Sequence, residues 1–225
     1  MAESQQHGFE LERLARASLC YPGAPRQKHG LEYDIPAGHS TWSGHPAQIK
    51  TCSGRSRSVM LGDAMRNRAR NEPFELLVAV WSQDGDRKSI SEYARMEFSA
   101  ASWRKMFGSA TERDIHALDS QVKAIPVNQG SQPAARAAAH AANKQLRAEH
   151  GPILALQPKI GTSSPQRRLQ ASCSLEKLLA HSDRHDIIRE DRFEEHGLPA
   201  SIYGPPRVLS PRNDRHCHED ASDKS

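Results

Sequence analysis

Asp34, Gln48 and Lys50 offer a carboxylate, a neutral amide and an ammonium within one short stretch of chain. Gln48 and Lys50 stand two apart, so on a strand both side chains leave the same face. Hard divalent cations take oxygen ligands of the first two kinds. A lysine beside them can stabilise a developing phosphoryl charge or steer an attacking water. Such a trio suits metal-assisted hydrolysis of a phosphate ester.

The surrounding pattern says how these residues could meet. Glu32-Tyr33-Asp34-Ile35 and Ala47-Gln48-Ile49-Lys50-Thr51 alternate apolar and polar residues and read as strands. The interval between them is rich in Gly, Pro, Ser and His and reads as a loop. If the strands pair, Asp34 ends one of them beside the face carrying Gln48 and Lys50. Three other triplets share the spacing: Asp86–Lys88, Gln121–Lys123 and Gln157–Lys159. The first follows a turn signal at Asp84-Gly85. The last is centred on Pro158, which suits a central strand poorly. Asp119 stands too near Gln121 to lie on a neighbouring strand. Ahead of the trio, residues 4–20 read as a helix with Leu11, Leu14, Ala15, Ser18 and Leu19 on one face. Glu10 and Glu12 flank that face, where first-turn acids also suit the helix dipole.

Asp34 followed by Gln48-Ile49-Lys50 resembles the PD-(D/E)xK nuclease superfamily, the restriction-endonuclease-like fold, in its variant with Gln at the middle position. Gly8-Phe9-Glu10-Leu11-Glu12-Arg13 is similar to the Gly-x-x-x-Glu-Arg opening of archaeal Holliday-junction resolvases. The resemblance implies an α/β chain with a restriction-endonuclease-like core. That core is a central mixed sheet flanked by helices, here with a C-terminal helix and hairpin elaboration. It further implies a Mg²⁺-dependent DNA endonuclease, with Mn²⁺ as a substitute metal. Asp34 and the Ile49 carbonyl would bind the cation, and Glu12, or alternatively Glu10, would hold a metal water. Gln48 would replace the usual acid, and Lys50 would orient or deprotonate the attacking water. A type II restriction role fits the length and the late hairpin best. Junction resolution fits the first helix, and a repair or mobile-element nuclease shares the same chemistry. The competing classes are a catalytically weak or inactive DNA-binding protein of the same fold and a basic adaptor with no nucleic-acid role. Where the family carries a strand between its helix and the Asp strand, only the non-apolar residues 26–30 are available here.

At 225 residues, with 36% hydrophobic and 5% aromatic residues, the chain suits one lean domain. It divides into a core over 1–108, a helix and hairpin region over 109–182 that could contact DNA, and a polar, partly disordered tail over 183–225. The net charge of +4 permits nucleic-acid binding without requiring it. Positive charge is concentrated over residues 50–70, where Arg55, Arg57 and Arg66 are candidate phosphate contacts. In the late hairpin Lys159, Gln166, Arg167 and Arg168 are candidate base or phosphate contacts. Four scattered cysteines, with no Cys-x-x-Cys, suit a reducing compartment. No signal peptide or membrane-length apolar run stands out, so a cytoplasmic location and no membrane partner are expected. A homodimer is left open. Phe74–Trp81 reads as a buried central strand, residues 89–98 as its return, and 100–107 as a short helix. Residues 109–130 carry no dominant pattern, and 133–150 form an Ala-rich helix. Residues 151–156 and 166–172 read as strands and 175–180 as a helix.

Overall fold

The computed structural model describes residues 3–20, 33–84, 87–126, 132–160 and 167–203. Helix α1 (Glu3–Leu19) comes first, then strands β1 (Ala47–Ser53) and β2 (Ser58–Asp63), helix α2 (Ala64–Arg68), and strands β3 (Phe74–Asp84) and β4 (Arg87–Phe98). Helices α3 (Ala100–Lys105), α4 (Glu112–Lys123) and α5 (Gln132–His150) follow. Strands β5 (Ala155–Ile160) and β6 (Arg167–Ser174), helix α6 (Leu175–His181), and strands β7 (Arg184–Arg189) and β8 (Ser201–Tyr203) complete the order. The chain is α/β: a mixed sheet runs β1-β3-β4-β7, with β8 also paired to β4, and a three-stranded sheet runs β2-β6-β5. β1 and β3 are parallel, and β3–β4 and β4–β7 are antiparallel.

β3 is apolar at every position from Leu76 to Val80 because both of its faces are covered. Leu76, Val78 and Val80 enter one core with Phe98, Trp103 and Leu118. Leu77 and Ala79 enter a second core, closed by Leu11, Ala15 and Leu19 of α1. Those three α1 residues repeat every fourth position, which builds one buried stripe. Ser18, expected on that stripe, is exposed.

Three expectations change. The run at Glu32–Ile35 is not a regular strand within the described residues. Ile35 makes one antiparallel bridge to Ala47, with both N–O distances 2.9 Å, and the Asp34 amide turns to the same Ala47 carbonyl instead of extending the ladder. Residues 109–130 contain α4, whose Ile115, Leu118 and Val122 are buried at helical spacing. Its start carries a capping box between Thr111 and Asp114. Within the described residues, the polar stretch beyond His181 joins the fold: β7 pairs with β4, and Ile188, Phe193, Leu198 and Ile202 are buried in the second core. Arg184, His185 and Asp186 are exposed along this edge strand, which is why its composition resembles a tail. Pro158 sits on β5, at the edge of the three-stranded sheet, where a missing donor is tolerated.

Candidate active site

The Ile35–Ala47 bridge holds the Asp34 side chain against the start of β1. Its Oδ2 accepts from the Ile49 amide at 2.6 Å and from Gln48 Nε2 at 2.8 Å, and it lies 3.5 Å from Lys50 Nζ. Lys50 Nζ also donates to the Ile49 carbonyl at 2.9 Å. Arg16 of α1 donates to the Asp34 carbonyl, tying the opening helix to the same corner. The expected convergence of Asp34, Gln48 and Lys50 is present, reached through one bridge rather than through a paired strand.

Arg70 is the residue the sequence reading passed over. It is 2% exposed, and its Nη2 donates to Gln48 Oε1 at 2.6 Å. Its guanidinium lies 4.4 Å from the ring centre of Tyr33 and 4.6 Å from that of Phe74. With a carboxylate at one end of the Gln48 amide and a guanidinium at the other, the orientation of that amide is settled. The reverse would set oxygen against Asp34 and NH₂ against Arg70. Burial pushes the Lys50 ammonium below the ordinary lysine range; Arg70 adds to that effect, while Asp34 and Glu12 oppose it. The only signal for Arg70 in the sequence is its place in a basic run, which does not distinguish it from exposed neighbours.

Gln48, Ile49, Lys50 and Arg70 open into a cleft of about 830 Å³, and Asp34 stands behind them, held by Gln48 and the Ile49 amide rather than lining the cleft itself. Gln48 and Lys50 lie on its floor, Glu12 on the α1 wall, and Arg55, Arg66 and Arg70 around the β2–α2 side. Of the two candidate helix acids, Glu12 lines the cleft and Glu10 does not. Arg57 is placed elsewhere: it has φ +46° and forms ion pairs with Glu92 of β4 and Glu176 of α6. Lys159, Arg167 and Arg168 stand on the second sheet away from the cleft, and Gln166 falls outside the described residues. Arg167 donates to the carbonyls of Ile125 and Pro126, so it closes the α4 end rather than facing outward. Gln170, on the same strand, does reach the cleft. Of the competing triplets, Gln121–Lys123 is helical and Gln157–Lys159 is on an edge strand. Lys88 is buried over the Trp81 ring, and Asp86 lies outside the described residues.

Among the described residues, no three His, Cys, Asp or Glu side chains are grouped to hold a metal ion. Mg²⁺ needs less: one or two carboxylates, with waters and substrate oxygens completing the shell. Asp34, the Ile49 carbonyl and Glu12 supply donors of that class. Gln48 does not fit as a ligand, since its oxygen is turned to Arg70 and its NH₂ faces Asp34. Also among the described residues, no helix is long and apolar enough to cross a membrane.

No protein family, curated protein or solved structure matches the chain.

Proposed function

We propose that the chain is a metal-dependent endonuclease hydrolysing DNA phosphodiester bonds, with the restriction-endonuclease-like core that the Asp34 and Gln48-Ile49-Lys50 pattern resembles. The convergence of Gln48, Ile49 and Lys50 on Asp34 Oδ2, beside a cleft that those three residues line together with Glu12, supports this reading most strongly. Asp34 and the Ile49 carbonyl would hold Mg²⁺ or Mn²⁺, with Glu12 reaching it through water. A cation bound there supplies Lewis-acid polarisation of the scissile phosphoryl group. Lys50, whose Nζ lies 3.5 Å from Asp34 Oδ2, orients the attacking water and offsets the negative charge that develops on the phosphoryl group. Gln48 acts as a positioning group, donating to Asp34 while Arg70 fixes its far end. Arg55 and Arg66, exposed at the rim, give the phosphodiester backbone its electrostatic hold. A type II restriction role is the form of this activity we favour.

Plasmid cleavage with Mg²⁺ is the test. Wild type should cut, and Asp34→Ala and Lys50→Ala should each lose about a hundredfold or more in rate, in line with the removal of one group that stabilises transition-state charge. Full activity in either variant ends the assignment. The contact between Gln48 and Arg70 favours a second reading, a DNA-binding protein without turnover, because it withdraws one oxygen from the metal corner. Binding to the plasmid that is indifferent to Mg²⁺, with no cleavage by wild type, would establish that reading instead.

A further inference from the structure

The cleft has two kinds of wall, and only one is accounted for by phosphate chemistry. Lys50, Arg55, Arg66 and Arg70 line the charged side. The same cleft is lined by Phe9 of α1, Trp81 of β3 and Met60 of β2. Phe9 and Trp81 are only partly buried, although their residue types favour the core. Met60 is 38% exposed, and it is the one large hydrophobic side chain among the described residues that stands so far into solvent. It sits between buried Val59 and Leu61, so the alternation of β2 turns it outward. Trp81 is engaged by Lys88, whose Nζ lies 3.5 Å from the ring centre, which holds the indole in place.

A regular duplex offers such a wall little beyond thymine methyls and sugar edges. Its base faces are stacked on one another, and its outer surface is phosphate, sugar and groove edges. Unpaired bases expose their faces, and proteins that bind single strands combine a basic track with aromatic and apolar side chains on which those bases stack. We infer that the cleft takes a single-stranded nucleic-acid segment. The backbone runs along Arg55, Arg66 and Lys50, and unstacked bases rest on Phe9, Met60 and Trp81. This rests on the nuclease reading but turns it away from the type II restriction role, by naming the substrate as DNA with unpaired bases at the cut site, such as a splayed end, a flap or a flipped nucleotide.

The full chain should be titrated, in EDTA so that no cleavage occurs, against three fluorescently labelled DNAs of shared sequence: a single strand, a blunt duplex and a forked duplex. The single strand and the fork should bind at least about tenfold more tightly than the blunt duplex. Met60→Ala and Phe9→Ala should each weaken single-strand binding by about five- to a hundredfold, with the salt slope unchanged, and Phe9→Tyr should restore it. Arg55→Gln and Arg66→Gln should instead flatten the salt slope on every DNA. Met60 is on the surface, so loss of fold cannot account for its effect. Equal affinity for blunt duplex and single strand, or apolar variants that bind as wild type does, overturns the inference. Single-strand preference in a protein that never cleaves with Mg²⁺ leaves this inference standing and removes the nuclease reading. Cleavage of blunt duplex with no single-strand preference does the reverse.

Discussion

Having an amide rather than a carboxylate at position 48 changes what its neighbours must do. An acid at position 48 would form a charge pair with Arg70. The amide accepts one hydrogen bond from it at 2.6 Å and leaves the positive charge inside the site. Aromatic faces at Tyr33 and Phe74 then do part of the work of stabilising a guanidinium that is almost fully buried. Arg70→Met should lower stability to urea by about 1–3 kcal/mol, since Gln48 Oε1 would lose its donor. Arg70→Lys should recover little, because an ammonium cannot lie flat across two rings and reach the amide as well. A methionine variant as stable as wild type would show that the bridge contributes nothing. Gln48→Glu adds a carboxylate to the corner already holding Asp34, and should tighten Mg²⁺ or Mn²⁺ binding by about tenfold in a calorimetric titration. Unchanged affinity would mean that position 48 does not feel the cation.

Elements with a repeating apolar pattern were legible, and those whose order comes from partners were not. β3 announces itself through an unbroken apolar run, and α1 through Leu11, Ala15 and Leu19. α4 hides because three buried apolar residues are spread along a helix whose other positions are largely polar, although its Thr111–Asp114 capping box was there to be read. The turn after α3 shows how tightly these pieces meet. Gly108 has φ +63°, and a Cβ added there would stand 2.0 Å from the His150 carbonyl oxygen at the end of α5. Gly108→Ala should therefore cost more than about 1 kcal/mol, read by denaturant titration. At the start of α3, Asp183 accepts from the Ser99 amide and from Ser102 Oγ. Partial desolvation acts to raise its pKa, and the hydrogen bonds from Ser102 and Ser99 outweigh it, so the group titrates below its ordinary value of 3.8. A carboxylate depressed in the folded state stabilises above that ordinary value and loses its contribution as pH falls through the folded one. Wild type should lose its advantage over Asp183→Asn on acidification below about pH 4; parallel stability curves would remove Asp183 as a cap.

For the whole molecule, the described part of the expected tail, through Tyr203, contributes two strands to the sheet. Removing everything after residue 182 strips β7 from β4 and takes Ile188, Phe193, Leu198 and Ile202 out of the core that α1 also closes. Each such side chain is worth about 1.5–3 kcal/mol when fully buried, so the truncated chain should fail to give a cooperative unfolding transition. Cooperative melting would mean that the second core closes without these residues. Arg57 acts at the same scale, joining the β1–β2 turn to β4 and α6 through Glu92 and Glu176. Arg57→Ala should lower the melting temperature while leaving the salt slope of DNA binding where it was.

The amino-acid sequence alone determined the central strand, the opening helix and the three side chains that meet at the start of β1: Asp34, Gln48 and Lys50. These depend on residue type and on short periodicities, which a linear chain displays. Tertiary structure decided the rest. It set Glu12 and not Glu10 on the cleft wall, buried Arg70 against two rings, turned the Gln48 oxygen away from Asp34, and took Arg57, Arg167 and Arg168 out of the cleft. It also ordered β7 at the edge of the sheet. Each of those outcomes is set by a partner distant in sequence, such as Glu176 for Arg57 or β4 for β7. Composition and spacing carry no record of such partners, because the free energy of a buried charge or an edge strand is decided by what packs against it.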